Sequence, residues 1–302
     1  MDGTRIMPEA EVAAMFARLS EVKLDISGIK RKFLDCPYGE DPRQTLDIYL
    51  PDEGDGPFPT VFFVHGGRWS GGDKRDSQIV QFVEGVRRGF AVVGVGYRLI
   101  PRVRYPDNLF DVKSALSWIA ENAGNYLIDR DRTALGGASA GAHLAMMAAF
   151  TMGQAAFEPT PGRETCRVLA VVDEFGPTDF SKIRAHFDES GYPHAASADS
   201  EEPADIELLF GVPAISVPNL LRFVNPIDSV HPGVPPILVQ HGRYDPLIPY
   251  QQSVRLVEKI NALAGDGHAE LDLSETFLHA DPGYAGQRSI DTIWGFLDEY
   301  LK

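Results

Sequence analysis

Apolar residues along this chain follow two rhythms that alternate from residue 60 to the end. TVFFV before His65, FAVVGVGYRL from Phe90, VLAVVDE from Val168 and ILVQ from Ile237 are short, nearly unbroken apolar runs. That length and β-branched content predict strands buried on both faces, and RTALGGAS and AELDLSETF complete the set. Between these runs, apolar residues recur three and four apart in QIVQFVEGVRRG, NLFDVKSALSWIAENAGNYL, AGAHLAMMAAFTMG, YQQSVRLVEKINALAG and SIDTIWGFLDEYL, the spacing of helices. Alternating strand and helix predicts an α/β fold with a mostly parallel central sheet and helices on both faces.

Three segments depart from that rhythm. EVKLDISGIKRKF and QTLDIYLP alternate in polarity on either side of the turn-forming CPYGEDP, which predicts an antiparallel hairpin at a sheet edge. From about Thr178 to His231 the periodicity lapses into a stretch rich in Pro, Ser, Asp and Glu, as expected of a cap or lid inserted over one end of the sheet of a single domain spanning 1–302. Near the start, Val12, Met15, Phe16 and Leu19 have the spacing of a short amphipathic helix that packs on the body.

Charge narrows the partners. With 28 basic and 43 acidic side chains in 302 residues, the formal charge of −15 repels phosphate backbones and anionic lipid, which argues against nucleic acid and membrane surfaces. No window approaches the roughly 18 apolar residues of a membrane-spanning helix. Cys36 and Cys166 are too few for a disulfide scaffold and lack the spacing of a metal knuckle. The first residues lack a basic segment followed by an apolar run, so the sequence as it stands reads as cytoplasmic unless a leader has been removed.

In a sheet of this kind ligands sit beyond the carboxyl ends of the strands, which here read HGGRW, GGASAG, DEFGP, HGRYD and FLHAD. Gly137-Ala138-Ser139-Ala140-Gly141 fits G-x-S-x-G between a predicted strand and a predicted helix, where a nucleophilic serine would stand on a sharp turn. Taken alone, the segment fits a serine N-cap as well. A serine nucleophile needs a base and an orienting carboxylate. Of eight histidines, His279 alone lies in a loop after the last strand and downstream of a suitable acid, Asp245; Asp173 or Glu174, one strand earlier, is an alternative acid. His65 and His241 read as turn-ordering residues, and His143, one helical turn past Ser139, as pointing along the helix flank. The HGGRW turn offers the N–H groups of Gly67 and Arg68, with that of Ala140, to a developing oxyanion, although HGG also fits a plain tight loop. Trp69, Glu174 and the insertion aromatics Phe180, Phe187, Tyr192, Phe210 and Phe223 could line a pocket for an aromatic acyl group; the aromatics serve equally as the insertion's own core.

Taken together, HGGRWSGGDKR, YRLIPRVRYPDNLFDVKSALSWI, GGASAGAHLA, PPILVQHGRYDPLIPYQQS and the late histidine resemble the esterase and lipase branch of the α/β-hydrolase superfamily, above all the feruloyl and acetyl xylan esterases. The likeness runs from about residue 30 to 300. It implies a serine ester hydrolase with Ser139, Asp245 and His279 as its triad and an oxyanion loop at Gly67 and Arg68, with no metal or organic cofactor, acting on short-chain or hydroxycinnamoyl-type esters, those of plant carbohydrates included. Arg68 stands where the lipase branch usually has a third glycine. That HGGxW form also occurs in arylformamidases, so an amide hydrolase stays open beside a non-catalytic binding protein of the same fold. The expected partner is a small ester; oligomeric state is not legible.

Overall fold

The structure, a computed structural model, describes residues 6–19, 22–195, 204–212 and 219–302; the insertion expected at 178–231 therefore lies partly outside the described residues. In chain order the elements are β1 (Ile6–Met7), α1 (Glu9–Leu19), β2 (Lys32–Pro37), β3 (Thr45–Tyr49), β4 (Phe58–Val64), α2 (Val80–Val83), β5 (Ala91–Val95), α3 (Asp107–Asn122), β6 (Ile128–Ala138), α4 (Ala140–Phe150), β7 (Val168–Glu174), α5 (Ile183–Ser190), β8 (His194–Ala195), α6 (Ala204–Phe210), α7 (Leu221–Val224), β9 (Ile237–Gly242), α8 (Gln251–Ala264), β10 (Ala269–Ser274) and α9 (Gln287–Leu301).

Eight strands form one sheet in the order β10-β9-β7-β6-β4-β5-β3-β2. The pairs from β5 to β10 are parallel, and β3 is antiparallel to both β5 and β2, which makes the predicted hairpin the sheet's edge. Every residue of β4 is buried, and its side chains divide by the two-residue period of a strand. Phe62 and Val64 join an apolar layer with Leu116 of α3, Leu144 of α4 and Leu256 of α8. Val61 and Phe63 join the opposite layer with Phe82 of α2 and Trp294 of α9. This is the α/β-hydrolase arrangement of a central sheet between helical layers.

The helix expected over 78–89 is instead one α-turn between two 3-10 turns, ending on Gly89 in the left-handed conformation. Strand β2 begins at Lys32, ten residues later than the alternating pattern suggested. Helix α1 forms where its spacing predicts. Met15 is buried and Val12 half-buried, while the side chains of Phe16 and Leu19 lie outside the described set. Ahead of it, β1 pairs in parallel with β8 of the insertion, a contact that no sequence pattern announced. Among the described residues, no helix is long and apolar enough to cross a membrane.

Candidate active site

Strand β6 runs directly into α4 through Ser139, whose backbone (φ 53°, ψ −120°) lies where non-glycine residues are rarely found. Its N–H donates to the Glu174 carbonyl at 2.8 Å, fastening the turn to the neighbouring strand. Glycine is required beside it. A Cβ on Gly141 would strike the carbonyls of Val64 and His65 at the end of β4, and one on Gly137 would sit 2.5 Å from the Gly141 backbone. From residue 133 to 150 every residue is buried except Ser139, which stays half-buried. It stands at the positive end of the eleven-residue α4 dipole.

His279 follows β10 in a loop, and its Nε2 lies 3.0 Å from Ser139 Oγ. Its Nδ1 is 2.7 Å from Asp245 Oδ2. Asp245 sits in the turn after β9, where its Oδ1 accepts the N–H groups of Leu247 and Ile248 at 2.8 and 2.9 Å. Burial alone would raise its pKa. The His279 charge and the hydrogen bonds from His241 and His279 outweigh that and hold the carboxyl below the usual carboxylate range. The two loops can meet because Gly242 has no side chain, so the Phe277 backbone packs directly against it. The ring of Phe175 stands edge-on to the imidazole at 4.8 Å and limits its tilt.

Geometry also separates the candidate carboxylates. Asp173 is fully buried on the α4 side of β7, with one oxygen accepting the Gly176 N–H at 2.8 Å and the other without a hydrogen-bond partner. Asp245 is the one that reaches the imidazole.

The HGGRW turn arches beside Ser139. A Cβ on Gly66 would come within 3.2 Å of the serine Cβ. Gly67 and Arg68 form the exposed tip, while Ala140 is buried at the start of α4. Gly67, Arg68 and Trp69 all have positive φ (113°, 56° and 58°), a run that persists only where surrounding contacts over-determine it. Those contacts are visible. Ser70 and Gly71 N–H donate to the Gly67 carbonyl, Ile100 N–H to the Trp69 carbonyl, and Gly66 N–H to Gln78 Oε1 at 2.9 Å. Beneath the loop, His65 stacks on Tyr97 at 4.4 Å and donates from Nδ1 to the Gly66 carbonyl; burial lowers its pKa to about 4, so it is a neutral strut.

The family profile BD-FAE matches residues 46–260, which takes in the HGGRW turn, the Ser139 turn and Asp245. The chain belongs to the BD-FAE family. Two Mycobacterium tuberculosis proteins are similar to it: the one named "Probable carboxylic ester hydrolase LipM", 31% identical over 76% of this chain and 52% of its own length, and "Esterase LipC", 30% identical over 78% and 57%. The chain thus spans about half the length of the curated relatives it matches. A truncated carbohydrate esterase from gut microbiota shares the fold with a TM-score of 0.78 at 23% identity, over 92% of this chain and 99% of that one.

Against this BD-FAE framework two sequence expectations need correction. Trp69 does not face a substrate pocket: it is only 2% exposed, lies under the loop, and donates from Nε1 to His143 Nδ1 at 3.2 Å. Glu174 does not line a pocket for an acyl group either. It is fully buried on the α9 side of the sheet, and both of its oxygens accept from Gln81 Nε2 at 2.8 and 2.7 Å. The cavity that Glu174 lines with Gln81, Phe175 and Tyr284 measures about 20 Å³, space for a water and far too little for an aromatic acyl group. Phe180 and Phe187 are likewise core residues of the insertion, with Phe187 stacked on His194 at 4.5 Å.

Three supporting side chains escaped the sequence reading. Gln78 and Gln81 look like ordinary polar positions of an amphipathic run; Gln81 is buried and Gln78 half-buried, which the sequence pattern does not signal. His143 points inward rather than along the helix flank. Among the described residues there is no group of three or more His, Cys, Asp or Glu placed to hold a metal.

Proposed function

We propose that this chain is a serine carboxylic ester hydrolase acting through an acyl-enzyme on short-chain esters of polar, hydroxyl-bearing alcohols such as sugars. The reading rests on the unbroken chain from Ser139 Oγ through His279 to Asp245, at 3.0 and 2.7 Å, with the serine alone accessible on an otherwise buried turn. A carboxylate accepts and does not donate, so Asp245 keeps the proton of neutral His279 on Nδ1 and leaves Nε2 to act as base.

Ser139 Oγ attacks the ester carbonyl as His279 Nε2 takes its proton, and the carbonyl oxygen becomes an anion facing the N–H groups of Gly67, Arg68 and Ala140. Collapse expels the alcohol, which takes the proton back from His279. Water then repeats the sequence on the acyl-serine and releases the carboxylic acid.

The open groove beside the loop supports this reading of substrate size and polarity. It encloses about 500 Å³ and is lined by Arg68, Ser70, Arg104 and Glu207 together with Ile100, Pro101 and Leu208. That volume suits a small ligand, and the alternation of charged and apolar lining favours a hydroxylated group over a long alkyl chain. The burial of Trp69, Phe180 and Phe187 weighs against aromatic stacking as the source of acyl preference.

The test is turnover of p-nitrophenyl esters from acetate to decanoate, an acetylated sugar, methyl ferulate and N-formylkynurenine. Wild type is expected to prefer the shortest acyl chains and the acetylated sugar. Ser139→Ala should abolish turnover, and Asp245→Asn, which offers the imidazole an amide donor and so favours the wrong tautomer, should lower kcat about 10⁴-fold with little change in KM. Preference for N-formylkynurenine would move the assignment to an amide hydrolase. Turnover that survives in Ser139→Ala would end the serine mechanism.

A further inference from the structure

His143 is fully buried one turn past Ser139, and both of its ring nitrogens are engaged. Indole Nε1 is only a donor, so Nδ1, 3.2 Å from Trp69 Nε1, carries no proton. The Val224 carbonyl is only an acceptor, so Nε2, 2.7 Å away, does carry one. The tautomer is therefore fixed by its two partners. Burial lowers the pKa of this histidine to about 4, which keeps the ring neutral at ordinary pH.

The partners belong to two different structures. Trp69 follows directly on Arg68 in the strained loop, and its ring stands perpendicular to the imidazole at 5.3 Å. Val224 ends α7 on the returning stem of the insertion. The Tyr105 hydroxyl donates to the neighbouring Phe223 carbonyl at 2.7 Å, and Asn225 Oδ1 accepts the Phe180 N–H at 3.1 Å. Phe180 closes the cluster, 5.4 Å from the imidazole and 5.8 Å from the indole. A phenyl ring would fill the same space without either bond. A short, rigid side chain that accepts on one edge and donates on the other is a property of neutral histidine.

We propose that His143 is a positioning residue: mounted on the nucleophile's helix, it sets the oxyanion loop by holding Trp69 and ties that loop to the insertion through Val224. The proposal deepens the ester-hydrolase reading and rests on its use of the Gly67 and Arg68 N–H groups. Arg68 and Trp69 both occupy unfavourable backbone conformations, so a loop released from its indole anchor relaxes. Its N–H groups then leave the place where the oxyanion forms. Substrate binding in the ground state does not use those groups, so the loss falls on kcat.

The experiment compares His143→Phe, His143→Gln, Trp69→Phe and the double variant His143→Phe/Trp69→Phe with wild type on p-nitrophenyl acetate, beside inhibition by a trifluoromethyl ketone. Losing a whole oxyanion donor costs on the order of 10²- to 10³-fold and a displaced one less. The expected result is a kcat lowered ~10- to 100-fold in His143→Phe, KM within about threefold, a ketone inhibition constant raised in step, and partial recovery in His143→Gln. Because both single variants break the same Trp69–His143 bond, and His143→Phe loses the Val224 bond besides, the double variant should be no slower than the slower single. In proton NMR, the indole Nε1–H of Trp69, identified by its disappearance in Trp69→Phe, should exchange slowly in wild type and rapidly in His143→Phe.

A folded His143→Phe protein with kcat within twofold of wild type overturns the proposal, as do single-variant losses that multiply in the double. Should His143→Phe not fold, an unchanged kcat in Trp69→Phe overturns it equally. Wild type without Ser139-dependent turnover would instead sink the hydrolase reading. The connector would then stand or fall on the indole proton alone, which persists unaltered in His143→Gln and His143→Phe only if no such bond exists.

Discussion

Asp173 and Glu174 are adjacent in sequence and face opposite sides of the sheet, and both are buried carboxyl groups. Glu174 has Gln81 as its donor. Asp173 has only the Gly176 N–H, so burial dominates and pushes its pKa from 3.8 up to about 7, with the Gly176 hydrogen bond and the nearby His241 pulling weakly the other way. The value in the fold is raised, so the fold favours the protonated form. The contribution to stability is complete below about pH 4 and is lost as pH rises through about 7. Asparagine reproduces the protonated shape without the charge. Asp173→Asn should melt with wild type at pH 4, separate from it as pH rises, and lie ~5 °C or more above it at pH 8, since each tenfold change in proton affinity is worth ~1.4 kcal/mol. Thermal melts that stay parallel from pH 4 to 8 would show that the buried carboxyl is not titrating there. This residue also marks where sequence reading stops. Strand-end position nominated Asp173, Glu174 and Asp245 alike, because a register names the face a side chain takes but not what it meets. Glu174 meets Gln81 from 93 positions away, and His143 meets Trp69 from 74. The strained turn at Ser139 and the glycine turn at HGG were legible because their backbone geometry depends on neighbours within a few residues.

At the scale of elements, strands and helices with strong periodicity were legible nearly to their ends, whereas the insertion was readable only as a loss of pattern. It is tied down by contacts between distant residues. Gln252, buried near the start of α8, accepts the N–H groups of Thr178 and Asp179 on Oε1 at 2.9 and 2.6 Å. Its Nε2 donates to the Asp179 carbonyl and to His186 Nδ1, both at 2.9 Å. The returning stem closes on the same point, with Ile227 N–H donating to the Thr178 carbonyl. One amide thus fastens the departing strand of the insertion to the body. Leucine fills the site but leaves two backbone donors without acceptors, at a cost of ~1–3 kcal/mol each. Gln252→Leu should therefore lower Tm by roughly 5–15 °C. Limited proteolysis should cut first within 178–231 while the sheet survives. Cleavage beginning elsewhere, or an unaltered Tm, would mean the insertion is held by its apolar core, Phe180 and Phe187 included, and not by this amide.

Across the whole molecule, the segment before the sheet reaches both loops that bring Asp245 and His279 to Ser139. β1 pairs with β8, and the Ala195 N–H of β8 donates to the carbonyl of Pro246, the residue after Asp245, at 2.8 Å. Met15 of α1 is buried, Val22 helps line the cavity beneath Phe175 and Tyr284, and Arg18 lies 3.6 Å from Asp281, two residues past His279. Strands of two residues, separated by 188 positions, leave no periodicity to read, so this strap was invisible in the sequence. Its parts carry unequal weight. Arg18 is half exposed, and a surface ion pair contributes ~0–1 kcal/mol, so Arg18→Ala should change kcat by less than about twofold. Removing residues 1–22 takes away the strand pairing and the buried methionine together, and loops that drift by ~1 Å can lose up to ~10²-fold in rate. We expect kcat to fall at least ~10-fold and Tm to drop, with KM changed less, because none of the described residues of this segment lines the groove beside Arg68 and Arg104. Steady-state kinetics of the two variants decide the matter. A truncated protein with wild-type kcat would mean that the Asp245 and His279 loops hold their geometry through the Gly242–Phe277 contact alone, and an Arg18→Ala loss as large as the truncation would shift the weight to the ion pair.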